Sequence, residues 1–138
     1  MATAADAELV LRLYELRRDE TLRKARRFLV FDFNPKTVDE LRVVSRDTKS
    51  EHNPLWRQAL SYWEMAASFV LRGALDADLY LDSSLEGILL YAKFHHFHAE
   101  TEKQSGNPFM GQTAALIAKY PAAGAHYEAF LKNFGVAK

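Results

Sequence analysis

Apolar side chains recur along this chain at the three- and four-residue spacing of helices, and the points where that spacing loses phase or meets proline or glycine divide it into elements. Leu9, Leu13 and Leu16 make the first stripe, over residues 5–18, with charged residues between them. Carried on at about 100° per residue, the stripe would reach Glu20 and Arg27, while Leu22, Ala25 and Leu29 gather on another side. The first helix is therefore expected to be kinked or broken near Asp19. Its second piece runs to Phe31 and stops before Asn34 and Pro35, because the residue before a proline is driven out of the helical region.

Thr37 and Glu40 have the spacing of a capping box and predict a short helix over 37–44. After a polar stretch, Asn53 is expected as a cap with Pro54 in the first turn. The helix that follows, 54–72, divides into a polar arc carrying Arg57, Ser61, Glu64 and Ser68 and an apolar face carrying Trp56, Leu60, Trp63 and Val70. Both tryptophans are expected in the core, and Gly73 ends the helix in a left-handed conformation. The connection 74–82 has room for a helical turn. A long helix is predicted over 83–103, closed by Gly106, Asn107 and Pro108, and two shorter ones over 109–119 and 122–134. No strand-like alternation or internal repeat interrupts the pattern. It predicts an all-α fold, a helical bundle of about five to seven helices in a single domain spanning residues 1–138.

Composition narrows the function classes. A chain of 138 residues with 49% hydrophobic and 26% charged residues carries enough apolar surface for one core and is unlike a disordered chain. Its 18 basic and 18 acidic residues balance, so no global field draws in nucleic acid or an anionic membrane. The absence of cysteine excludes disulfide frameworks, thiol nucleophiles and cysteine-ligated zinc, and suits a reducing cytoplasm. No apolar run approaches the roughly 20 residues of a membrane span, and the start lacks the order of a secretory signal. A cytoplasmic setting is expected.

Three clusters are candidates for function. The predicted 83–103 helix shows two apolar sides, one carrying Leu85, Ile88, Leu89 and Ala92 with His96 among them, the other carrying Leu90, Phe94 and Phe97. Such a helix is either central and packed on both sides, or it keeps one side for a partner. Leu90, Phe94 and Phe97 are thus the candidate partner-binding residues, and a homodimer is the expected assembly. On the same helix His95, His98 and Glu102 share a flank at three- and four-residue spacing, which makes them the candidate metal ligands. They match neither the paired glutamate-x-x-histidine motifs of di-iron bundles nor the zincin motif, and no cofactor is expected.

The third cluster packs Arg17, Arg18, Arg23, Lys24, Arg26 and Arg27 into eleven residues, and Arg23 and Arg27 are the candidate anion-binding residues. Glu15, Asp19 and Glu20 lie at pairing distance along the helix, and no recognition motif favours nucleic acid. Glu64 has no second carboxylate at matched spacing, and Gly73, Gly106 and Gly135 sit at helix ends instead of in a phosphate loop. The reading leans away from an enzyme.

The segment that begins Tyr62, Trp63, Glu64, ends its helix in Arg72 and Gly73, and continues through Asp76 and Asp78 to Tyr80 resembles an uncharacterised bacterial family of small all-helical domains of unknown function. Tyr14 to Arg18, followed by Leu22 and Ala25, is similar to the start of the same family. The resemblance covers most of the chain. It implies the helical fold and brings no catalytic residue with it.

Overall fold

The computed structural model describes residues 1–136; the final two positions of the expected 1–138 span lie outside the described residues. Among the described residues there are nine α-helices and no strand. That is more helices than expected, and the surplus arises where expected helices are interrupted.

α1 (Ala4–Arg17) opens with a capping box between Thr3 and Asp6, and its single fully buried side chain is Leu13. Asp19 then caps α2 (Glu20–Arg27), its carboxylate accepting from the Leu22 amide at 3.0 Å. The stripe of Leu22, Ala25 and Leu29 turns inward. Beyond Arg27 the chain widens into a π-helical turn, Phe28–Asp32, closed by a bond from the Phe33 amide to the Phe28 carbonyl at 2.8 Å. The extra residue in that turn lets Phe28, Leu29 and Phe33 all face the core while Phe31 swings out.

α3 (Val38–Ser45) begins at the Thr37–Glu40 capping box. α4 (Asn53–Leu71) starts one residue earlier than expected, and Asn53 does not cap it. Asn53 is buried, donating from Nδ2 to the Val44 carbonyl at 2.7 Å and accepting from Arg57 Nε at 2.9 Å, so it ties the end of α3 to α4. α4 is the spine of the fold and packs against α2, α3, α6 and α8. Trp56 and Trp63 are both buried along it, and Tyr62 donates its hydroxyl to the Leu13 carbonyl of α1. Gly73, at φ +80°, reverses the chain, and Asp76 caps α5 (Ala77–Ser83).

The expected long helix over 83–103 is three elements. α6 (Glu86–Lys93) ends at Phe94, a 3₁₀ turn covers His95–Phe97, and α7 (His98–Ser105) follows. α6 is packed between α4, α8 and α9, and a Cβ added at Gly87 would lie 3.2 Å from the Trp63 Cβ, which records how closely α6 approaches the spine. The break has a tertiary cause. Phe94 enters an aromatic cluster with Trp56 at 5.4 Å, Phe33 at 6.0 Å and Phe109 at 6.2 Å between ring centroids. α8 (Gly111–Lys119) and α9 (Pro121–Asn133) complete the bundle, with Leu116, Ala123 and Leu131 buried.

α8 has no cap from its own neighbours; its preceding residue, Met110, sits in the left-handed region at φ 46°. Glu64 of α4 supplies the missing acceptor. Its carboxylate takes the amides of Gln112 and Thr113, both at 2.9 Å, and the Thr113 hydroxyl at 2.7 Å. A negative charge at a helix N-terminus, satisfying otherwise unpaired amides, is favourable on both counts.

Candidate functional site

The basic residues of α2 and the π turn that follows it build an open groove of about 440 Å³, lined by Glu20, Arg23, Lys24, Arg26, Arg27, Val30, Phe31 and Glu86. Glu20, Arg23, Lys24 and Arg27 stand at three- and four-residue spacing on the face of α2 opposite its buried stripe, so the helix that anchors the core also presents the cations.

Two of the four cations are engaged. Arg26 makes a bidentate pair with Glu86 of α6, Nε to Oε2 at 2.8 Å and Nη2 to Oε1 at 3.0 Å, with both side chains largely buried. Glu86 accepts a third bond from Trp63 Nε1 at 3.1 Å, and its carboxylate holds the Arg26 guanidinium above its ordinary pKa. This triad joins α2, α4 and α6 as the floor of the groove. Lys24 and Glu20 form an exposed pair at 3.7 Å, of the kind that contributes little. Among the described residues Arg23 and Arg27 have no carboxylate within ion-pairing distance. Arg27 lies 5.9 Å from the centre of the Phe31 ring, and Phe31 is 67% exposed. The groove therefore combines two free cations with an aromatic face. Positive charge there stands next to apolar surface, an arrangement suited to negative charge carried beside an apolar group.

The partner-binding face expected at Leu90, Phe94 and Phe97 is corrected by the structure. Leu90 is 0% and Phe94 1% exposed, both inside the chain's own core, and Phe97 is half-buried. Ile88 and Ala92 are buried on one side of α6 and Leu90 and Phe94 on the other, so the helix is central and packed on both sides; beyond the break at Phe94, His96, expected in the core, is exposed.

The metal cluster is corrected as well. His98 lies between the rings of Tyr91 at 4.1 Å and Phe109 at 4.9 Å, and its Nε2 donates to the Tyr91 carbonyl at 2.8 Å. That carbonyl belongs to the last turn of α6, where intrahelical donors run out, so the imidazole caps a helix end. Burial pushes the His98 pKa down to about 4, which keeps the ring neutral. His95 Nδ1 pairs with the Tyr127 hydroxyl at 3.0 Å, and Glu102 accepts from the Phe109 amide at 2.9 Å. The three side chains serve three separate partners. Among the described residues no group of three histidine or acidic side chains is placed to hold a metal ion.

Three contributors escaped the sequence reading. Glu86 carries no local signal that it would join Arg26 and Trp63 from distant segments. Phe31 falls at the end of the expected regular helix, and the π turn leaves it exposed. Lys93, the last residue of α6, donates from Nζ to the carbonyls of Leu29 and Val30 and so holds the π turn in place. A sustained α-helical phase through Phe33 would have left one of its aromatics misdirected, which was the available clue.

The architecture defines the class as an all-helical domain, with an open groove lined by the basic residues of α2. The family model described as a domain of unknown function, DUF4760, matches residues 2–120, and the chain belongs to that family. The match ends at Tyr120, the residue that precedes α9. No curated protein and no solved structure matches the chain. No helix among the described residues is long and apolar enough to cross a membrane.

Proposed function

We propose that this chain is a single, noncatalytic helical domain that binds an acidic segment of a protein partner in the groove beside α2. The observation that carries the proposal is the pairing of Arg23 and Arg27, which have no carboxylate partner among the described residues, with the 67% exposed ring of Phe31. Charge complementarity selects an acidic occupant, and the ring selects one that also brings an apolar side chain. A helical interaction domain was the expectation from sequence; its site moves from α6 to α2 because Leu90 and Phe94 are core. A cytoplasmic setting belongs to the same reading, on the absence of cysteine.

The test is fluorescence anisotropy with a labelled acidic peptide in which glutamates flank one tryptophan. Binding that weakens as salt is raised is expected, since exposed charges are screened within about 10 Å at 0.1 M salt. The double variant Arg23→Glu, Arg27→Glu is expected to lose more than about tenfold in affinity, because each contact between opposite charges becomes one between like charges. Phe31→Ala is expected to weaken binding by a smaller factor without changing its salt dependence. Tighter binding of single-stranded nucleic acid than of the peptide at equal salt would refute the assignment of a protein partner. Equal affinity of the double variant would refute the site.

A further inference from the structure

The groove beside α2 carries more positive charge than one carboxylate neutralises. Four cations and two carboxylates line it, an excess of two positive charges. Both carboxylates are already engaged within the chain. Glu86 accepts from Arg26 Nε, Arg26 Nη2 and Trp63 Nε1, and Glu20 pairs with Lys24 at 3.7 Å. The excess therefore resides on Arg23 and Arg27. They stand one helical turn apart on the exposed face of α2, where residues four apart have Cβ atoms about 5–6 Å from each other. Each guanidinium presents its N–H donors as a rigid planar fork.

We infer that the acidic segment received there is a phosphorylated one, carrying an apolar side chain about three residues from its phosphoserine or phosphothreonine; this rests on the reading of the groove as a site for an acidic partner. A phosphate monoester carries a charge of about −1.5 to −2 at pH 7, which matches the excess, whereas one carboxylate leaves one arginine unneutralised. Its shape fits as well. The two oxygens of a carboxylate lie in one plane and match a single guanidinium fork, while the three terminal oxygens of a phosphate ester point in different directions and can accept from two forks on adjacent turns at once. Phe31 lies six residues beyond the midpoint of Arg23 and Arg27, about 9 Å at about 1.5 Å per residue, and an extended peptide covers that distance in about three residues. An apolar side chain so placed meets the exposed Phe31 ring. Phosphorylation of the partner thus switches its binding on.

The test compares, by fluorescence anisotropy on the full chain, labelled acidic peptides that differ only in bearing phosphoserine or glutamate at one position, with a tryptophan three residues on. The phosphoserine peptide is expected to bind at least about tenfold more tightly. The double variant Arg23→Lys, Arg27→Lys keeps both charges at exposed positions and removes both forks. In it the preference for phosphoserine should fall to about threefold or less, with the affinity for the glutamate peptide little changed. Equal affinity of the two peptides for the parent protein overturns this inference and leaves the acidic-partner reading standing, whereas binding of neither peptide at low salt overturns both. A full phosphoserine preference in the lysine variant overturns the assignment to the two forks. Tighter binding of vesicles containing phosphatidylinositol phosphates than of the phosphopeptide overturns the assignment of the phosphate to a protein segment.

Discussion

Replacing Phe94 by alanine separates the two readings of its helix face most sharply. The ring is 1% exposed and touches Phe33, Trp56 and Phe109, three side chains delivered by three different segments. Truncation removes the transfer free energy of a full aromatic side chain and leaves a cavity that Trp56, itself packed against Phe109 at 6.2 Å, is poorly placed to fill. Losses of about 3–5 kcal/mol are typical for such sites, which in a domain of this size lowers the melting temperature by about 10–15 °C. Urea unfolding followed by tryptophan fluorescence measures the effect directly, since Trp56 reports on the same cluster. A loss below about 1 kcal/mol, the range of surface substitutions, would refute the placement of Phe94 in the core and return its face to the surface.

Other expectations follow from the same geometry. Glu86→Gln removes one charge from the pair with Arg26 while keeping an oxygen for Trp63 Nε1, and should cost about 1–3 kcal/mol in urea unfolding; an unchanged midpoint would mean that the triad is decorative. His98 stays neutral in the folded protein to about pH 4, whereas in the unfolded chain it takes up a proton near pH 6.5. The unfolded state therefore binds more protons in that window, and stability falls as pH drops from about 6.5 to 4 and is unaffected by this group below it. In His98→Gln the decline over that window should be shallower than in the parent, and equal slopes would contradict the account.

Helix existence was legible in the sequence wherever the signals were local. The capping box at Thr37 and Glu40, the inward stripe of Leu22, Ala25 and Leu29, the burial of Trp56 and Trp63 and the reversal at Gly73 all depend on near neighbours along the chain. What escaped depends on segments far apart in sequence. Nothing near Phe94 breaks a helix by itself; there is no proline or glycine, and the break is enforced by the aromatic cluster waiting for the ring. Glu64 looked like one more residue of a wet arc because the amides it caps lie 48 and 49 positions ahead. The histidines shared a flank only on a helix that does not continue, and with the break each found a different partner. Of the candidate sites, the basic stretch was readable as charge, while its sorting into paired Arg26 and unpaired Arg23 and Arg27 required Glu86 in place.

The groove of α2 and the π turn, and not the Leu90 and Phe94 face of α6, is proposed to receive the acidic partner segment. Titration of the acidic peptide into isotopically labelled protein, with every backbone amide followed by NMR, tests it directly. The account predicts shifts concentrated at residues 20–31 and around Glu86, fading as salt is added and absent in the Arg23→Glu, Arg27→Glu variant. Shifts concentrated elsewhere, or unchanged by charge reversal at Arg23 and Arg27, would contradict it.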